Sequence, residues 1–221
     1  CTRSTYSDTL LQKHVIKKKL ISNFQENMAL KLISVKDKEK LNFEMNENIS
    51  ILEIDLSKID FQTLPQDIDV VYYLAQSNRF REFPDGVDDM LSINVLAPNI
   101  LAKWAVKTGV KKFIYASSGG VYTNPNKPVK EFFDINANEK LGFYLNSKLS
   151  AEMLLKNYAS LFETFAIIRP FFMYGVGQNE TMLIPRLISS VQNEKEITLN
   201  GENGIKINPI YVTDASQAVA N

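Results

Sequence analysis

The sequence predicts an α/β fold with a doubly wound parallel sheet, and three observations carry that expectation. Short strand-like runs alternate with longer amphipathic stretches from residue 49 onward. The runs are apolar at nearly every position instead of every second one, as in strands buried on both faces. Each run ends on small or polar residues, which is where ligands of such sheets bind. The 221 residues allow one large domain, or a domain and part of a second, around a substantial core.

The elements follow in order. Residues 1–40 read as polar and helical. Leu10, Leu11, Val15, Ile16 and Leu20 recur at helical spacing among Lys17, Lys18 and Lys19, and a second such stretch surrounds Met28, Leu30, Leu32 and Ile33. The lysine run reads as a solvated helix face. Residues 49–54 form the first β-branched run and lead into Asp55-Leu56-Ser57; residues 69–75 form the second. The polar segment between them, with Pro65, suits a turn or a brief helix. A helix is expected over 87–108, with Met90, Ile93, Leu96, Ile100, Leu101 and Trp104 as its apolar face and Gly109 as its C-cap. Pro98 inside it should free the carbonyl of Asn94. Residues 110–116 give a third strand, ending in Ser117-Ser118-Gly119-Gly120. After a polar loop with Pro125 and Pro128, a helix over 143–162 leads to a fourth strand at 164–168. The strand ends at Asp55, Ala75-Gln76, Ser117-Ser118 and Arg169-Pro170 are therefore expected to point into one crevice.

Composition removes several classes. Twenty-five basic and 25 acidic side chains give a net charge of zero, which argues against nucleic-acid binding through phosphate neutralisation. The charge is uneven: residues 1–40 hold nine Lys/Arg against four Asp/Glu, and the rest hold sixteen against twenty-one. A lone Cys1 excludes an internal disulfide framework and a thiolate-rich metal site. The single His14 excludes most zinc enzymes and any triad needing a second imidazole, so no metal is expected. With no S-x-x-K and no G-x-S-x-G, a serine acyl-enzyme is disfavoured too. No apolar run approaches the ~18 residues of a membrane span, and no signal-peptide pattern opens the chain. A cytoplasmic protein without nucleic-acid or membrane partners is expected. Glycine is scarce: there are nine, the first is Gly86, and the 85 residues before it hold no glycine-rich phosphate loop. The chain opens on Cys1, so something upstream is expected to be missing.

Tyr144 and Lys148 stand four apart on an expected helix and so share a face. With Ser118 at the end of the preceding strand they would form a Ser/Tyr/Lys site. A nearby ammonium favours the phenolate and makes a tyrosine usable as acid or base near neutrality. The Ser118 hydroxyl would hold a substrate oxygen in line with it. Tyr-x-x-x-Lys alone arises often by chance; an ordinary half-exposed pair on an amphipathic helix is the other reading.

The surrounding motifs resemble, in order and spacing, an extended short-chain dehydrogenase/reductase of the NAD(P)-dependent epimerase/dehydratase family, which modifies nucleotide sugars. Ile51-Leu52-Glu53-Ile54-Asp55-Leu56 resembles the segment whose Asp-Leu contacts adenine. Val70-Val71-Tyr72-Tyr73-Leu74-Ala75-Gln76 resembles the strand passing the cofactor pyrophosphate and ribose, and Asn94 the helix asparagine that supports the site. Phe113-Ile114-Tyr115-Ala116-Ser117-Ser118-Gly119-Gly120-Val121-Tyr122 is similar to the catalytic serine strand, with Tyr144-Leu145-Asn146-Ser147-Lys148 following. Ile168-Arg169-Pro170-Phe171-Phe172-Met173-Tyr174-Gly175 resembles the segment beside the nicotinamide, and Met182-Leu183-Ile184-Pro185-Arg186 the nucleotide-binding segment. Asn208-Pro209-Ile210-Tyr211-Val212-Thr213-Asp214 resembles the late strand and helix cap near the sugar-nucleotide pocket.

The resemblance implies a Rossmann-type sheet with catalytic Ser118, Tyr144 and Lys148. It implies NAD or NADP held by Asp55, Leu56, Leu74, Ala75, Gln76, Asn94, Ser117, Tyr144, Lys148, Pro170 and Phe171. It implies a nucleotide-sugar substrate, as in polysaccharide biosynthesis, met by Gln76, Arg79, Ser118, Gly119, Phe172 and Arg186. Residues 1–170 would be a partial NAD(P)-binding domain and 171–221 a partial substrate-binding region. The family's first strand and glycine-rich turn have no counterpart here. Cys1-Thr2-Arg3-Ser4 resembles the end of the family's second strand, where Arg3 would favour NADP. The chain is thus expected to be an internal piece that binds NAD(P) poorly by itself.

Sugar 4,6-dehydratases of this family usually carry an acidic residue just after the catalytic hydroxyl. Gly119 and Gly120 stand there instead, so dehydration is disfavoured and epimerisation favoured. A reductase or dehydrogenase of the same family, and a non-catalytic dinucleotide-binding relative, remain open. A homodimer through helices 88–108 and 143–162 is implied, although their outer sides do not read as markedly apolar.

Overall fold

The computed structural model describes residues 30–34, 49–58, 60, 63–122, 128–135, 141–176, 178, 182–198 and 207–220. The helix expected around 10–20, Arg3, His14 and Pro125 lie outside them. The first described strand, β1 (Leu30–Ser34), pairs with β2 (Ile49–Glu53) in a two-stranded sheet. The helical stretch expected around Met28, Leu30, Leu32 and Ile33 is therefore a strand where it is described. A short apolar run fits either periodicity, and pairing with a second strand satisfies its backbone groups.

The central sheet consists of β3 (Val70–Tyr73), β4 (Lys112–Ala116) and β5 (Thr164–Ile168), all parallel and in that order. The register aligns Val71 with Phe113 and Phe165, and Tyr73 with Tyr115 and Ile167. Side chains alternate across a strand, so these six line one face. They pack there with Leu101, Trp104, Ala105, Ala151, Leu155 and Phe162 into one core.

The helix expected over 87–108 is interrupted. It runs as α1 (Val87–Met90), a π-helical segment (Leu91–Leu96) and α2 (Ala97–Thr108). It ends on Gly109 at φ 78°, a left-handed cap that a Cβ would strain. Pro98 explains the π segment. Residue 98 would return an N–H to Asn94 in an α-helix, or to Ile93 in a π-helix, and proline has none. Two sheet tyrosines supply the missing donors: Tyr73 Oη donates to the Ile93 carbonyl and Tyr115 Oη to that of Asn94. Their rings stack at 6.0 Å.

A second long helix, α3 (Phe143–Leu155), continues as a 3₁₀ stretch over Lys156–Leu161 and delivers the chain to β5. Beyond it come β6 (Phe172–Tyr174), α4 (Leu183–Gln192), β7 (Pro209–Tyr211) and α5 (Val212–Ala220), with β6 and β7 parallel. The chain divides into two compact units. One consists of residues 31–40 and 51–170, the other of 1–30, 41–50 and 171–221. Among the described residues no helix is long and apolar enough to cross a membrane. The outer faces of the two long helices are more apolar than the sequence suggests: Leu96, Ile100, Met153 and Leu154 are all exposed.

Candidate active site

The site builds up where α3 meets the carboxyl ends of β3 and β4. Tyr144 and Lys148 share a face of α3 and both are buried. Lys148 Nζ donates to the Ala116 carbonyl at 3.1 Å and to that of Ala75 at 3.4 Å. One ammonium thus fastens the helix to two adjacent strand ends, and a buried cation is tolerable only with such partners. It also lies 5.1 Å from the Tyr115 ring centroid, within cation–π range. One turn earlier, Tyr144 Oη donates to Gln76 Oε1 at 2.8 Å. The Tyr144 ring meets Phe80 at 5.3 Å.

Ser118 reaches the same place along β4. The parallel ladder continues past the strand end, with the Ser117 N–H donating to Ile168 O at 2.8 Å and the Gly119 N–H to Pro170 O at 2.9 Å. Ser118 Oγ accepts from the Gly120 N–H at 3.3 Å. The turn bearing it, a 3₁₀ segment over Gly119–Tyr122, lies against the neighbour of Tyr144. A Cβ on Gly120 would stand 2.9 Å from Leu145 Cδ2, so only glycine fits without displacing that buried leucine.

Asn94 ties the pieces together from the π segment and is fully buried. Its Oδ1 accepts from the Ser77 N–H, and its Nδ2 donates to Ser147 Oγ, both at 3.0 Å. Ser147 Oγ in turn donates to the Tyr144 carbonyl at 2.7 Å, and Ser77 Oγ donates to Asp89. The loop after β3 and the helix α3 are therefore held by one amide.

Burial pushes the phenols of Tyr73 and Tyr115 well up; for Tyr115 the neighbouring Tyr73, Tyr144 and Glu152 add to it. Both remain neutral donors to the π-segment carbonyls. A turn below Lys148, the fully buried Glu152 takes Arg169 in a two-pronged pair, Nε to Oε1 at 3.0 Å and Nη2 to Oε2 at 2.5 Å. Arg169 Nη1 also donates to Tyr122 Oη at 2.7 Å and to the Glu131 carbonyl at 3.1 Å. These bonds to Glu152, then to Tyr122, hold the guanidinium above its ordinary pKa despite partial burial.

The remaining expected residues lie as follows. Asp55 caps the 3₁₀ turn Leu56–Lys58 through Ser57, N–H at 3.0 Å and Oγ at 2.7 Å. The Leu56 side chain belongs to the core, leaving its backbone for a ligand, and Leu74 is buried. Arg79 is drawn to Glu82 at 2.7 Å on the exposed loop. Phe171, Phe172 and Arg186 belong to the other compact unit. Sequence reasoning missed Phe80, Ser147 and the Glu152–Arg169–Tyr122 cluster. Only Glu152 left a signal, being four residues after Lys148 on the buried face.

Two buried polar atoms at the strand ends, Gln76 Nε2 and Ser117 Oγ, make no hydrogen bond. A buried donor without a partner calls for an explanation, and Ser117 stands where the resemblance sets the cofactor. The described residues thus fit the part of a dinucleotide that meets the strand ends.

Residues 18–220 match the "NAD dependent epimerase/dehydratase family". The chain belongs to that family. It is 27% identical over 189 residues to a human dTDP-D-glucose 4,6-dehydratase, covering 84% of this chain and 53% of that protein. The chain thus spans about half the length of that relative. A solved UDP-N-acetylglucosamine 4-epimerase from Methanobrevibacter ruminantium M1, in complex with UDP-N-acetylmuramic acid, superposes with a TM-score of 0.79 at 25% identity. It covers 92% of this chain and 67% of its own. A UDP-glucuronic acid 4-epimerase from Bacillus cereus in complex with NAD gives a TM-score of 0.63 at 26% identity, over 79% of this chain and 55% of its own. The Rossmann-type α/β fold expected from the alternating strands and helices is thereby shown.

Proposed function

We propose that the chain carries the catalytic core of an NAD-dependent nucleotide-sugar epimerase, which inverts a sugar carbon by oxidising and re-reducing it. The observation that carries this reading is the turn after Ser118. Dehydration needs an acid or base at a second sugar carbon, and Gly119 and Gly120 offer none; the Leu145 contact leaves no room for one at residue 120. The 4-epimerases among the relatives support carbon 4 of a UDP-sugar as the reacting centre.

NAD, when bound, would supply a reversible hydride acceptor for the sugar carbon. Tyr144 Oη would take the sugar hydroxyl proton during oxidation and give it back on reduction. Ser118 Oγ would hold the sugar oxygen. Lys148 would supply the positive charge on the same helix face that favours the phenolate and would help to hold the cofactor. NAD is favoured over NADP by the complex of the Bacillus cereus relative.

The identity of the product tests this reading. With NAD and either UDP-sugars or dTDP-glucose, the full chain is expected to give the epimer, with all its oxygens retained. Loss of water from the sugar would establish dehydration, the second reading, which the human relative favours. The exposed Leu96, Ile100, Met153 and Leu154 on the two long helices support a second copy of the chain as their partner. Ile100→Lys with Met153→Lys is then expected to halve the mass seen by sedimentation; an unchanged mass argues against that dimer.

A further inference from the structure

We propose that Gln76 is a two-way hydrogen-bond partner of Tyr144, accepting from the phenol and, after its carboxamide turns over, donating to the phenolate. This rests on Tyr144 being the acid/base. Such a tyrosine alternates between a state that needs an acceptor and one that needs a donor. A backbone carbonyl meets only the first need, whereas a carboxamide carries both functions on one planar group. Gln76 Oε1 already accepts from Tyr144 Oη at 2.8 Å. Its other end, Nε2, is buried and without a hydrogen bond, a state disfavoured unless the group is used. The terminal torsion of glutamine is broad and roughly two-fold, so the exchange needs no backbone movement.

The backbone around Gln76 is held firmly enough to make the turnover local. The Ala75 carbonyl takes Lys148, and the Ser77 N–H is given to Asn94. Phe80 flanks the Tyr144 ring. Of the titratable groups around it, Tyr115 on β4 interacts with Tyr144, Lys148 stands one turn on and Glu152 two turns on along its own helix. The loop bearing Phe80 adds Arg79, Arg81, Glu82 and Asp85, all exposed. A hydrogen bond to an ion is roughly twice as strong as one between neutral groups. The amide therefore lowers the proton affinity of Tyr144 on balance, even though it serves both states.

The test titrates Tyr144 in the full chain by NMR of tyrosine labelled at Cζ, with Tyr144→Phe identifying the resonance. Gln76→Met and Gln76→Leu keep bulk and remove the amide; each is expected to raise the Tyr144 midpoint by about one pH unit, a tenfold gain in proton affinity. Gln76→Glu keeps size and polarity but sets a carboxylate against the phenolate, and is expected to raise it further. Midpoints equal to wild type in all three variants would overturn the inference while leaving Tyr144 as the acid/base. A wild-type midpoint at or above the ordinary value of about 10 would instead overturn the acid/base reading, and this inference with it.

Discussion

Lys148 is an ammonium with no exposed surface, and its place depends on two main-chain carbonyls from different strands. Lys148→Met removes the charge and its two hydrogen bonds, to the carbonyls of Ala75 and Ala116. A hydrogen bond from a charged group contributes about 1.5–3 kcal/mol. The variant is expected to melt several degrees lower and to turn over about a hundredfold slower, as thermal denaturation and product formation would report. Asn94→Ala breaks the bonds to Ser77 and Ser147 at once. It should cost about 2–3 kcal/mol in denaturant titration, with activity lost beyond what unfolding explains. At this scale Ser118, Tyr144 and Lys148 were legible as candidates through the order of the surrounding motifs, because the Tyr-x-x-x-Lys spacing alone arises often by chance. The Gln76–Tyr144 bond was not, because two residues 68 apart meet only once the helix is laid across the strands. Phe80 lay equally hidden, since an aromatic residue in a loop carries no periodic signal.

Two elements hold the site in shape, and each has a measurable weakness. The π segment relies on Tyr73 and Tyr115 as neutral donors. Burial raises both phenols above the ordinary 10.0. Below that value the phenols are protonated whether folded or not, and their contribution is intact. As pH rises past it, the unfolded chain sheds protons that the folded chain keeps, so stability falls. Unfolding free energy is expected to decline as pH rises above about 10, and the decline should lessen in Tyr73→Phe, where one raised phenol is gone. The helix α3 relies on Glu152 and Arg169, whose side chains are 0% and 13% exposed. Glu152→Ala leaves a half-buried guanidinium with its bonds to Tyr122 and the Glu131 carbonyl but without its carboxylate, and is expected to cost about 2–3 kcal/mol, read from the denaturation midpoint. Pro98 announced the freed carbonyl in the sequence, but not the two sheet tyrosines that answer it. β1 was misread because a stretch as short as Leu30-Lys31-Leu32-Ile33-Ser34 does not distinguish the two periodicities.

For the molecule as a whole, continuous apolar runs at residues 70–73, 112–116 and 164–168 sufficed to foretell a parallel sheet, since only strands covered on both faces tolerate them. The two-unit division follows from long-range contacts that no local pattern encodes. Family membership supplies the class of chemistry, and in the function we propose Gly119-Gly120 favours epimerisation within it. Epimerisation leaves the cofactor as it was found, whereas reduction consumes it and dehydration removes water from the sugar. The most direct measurement starts the full chain with NAD from each of two 4-epimeric UDP-sugars and follows the sugar by NMR and NADH by absorbance. Both reactions should converge on one epimer ratio with no net NADH, and Tyr144→Phe should abolish the convergence. Steady NADH accumulation, a dehydrated sugar, no conversion from either side, or full activity in Tyr144→Phe would contradict the account.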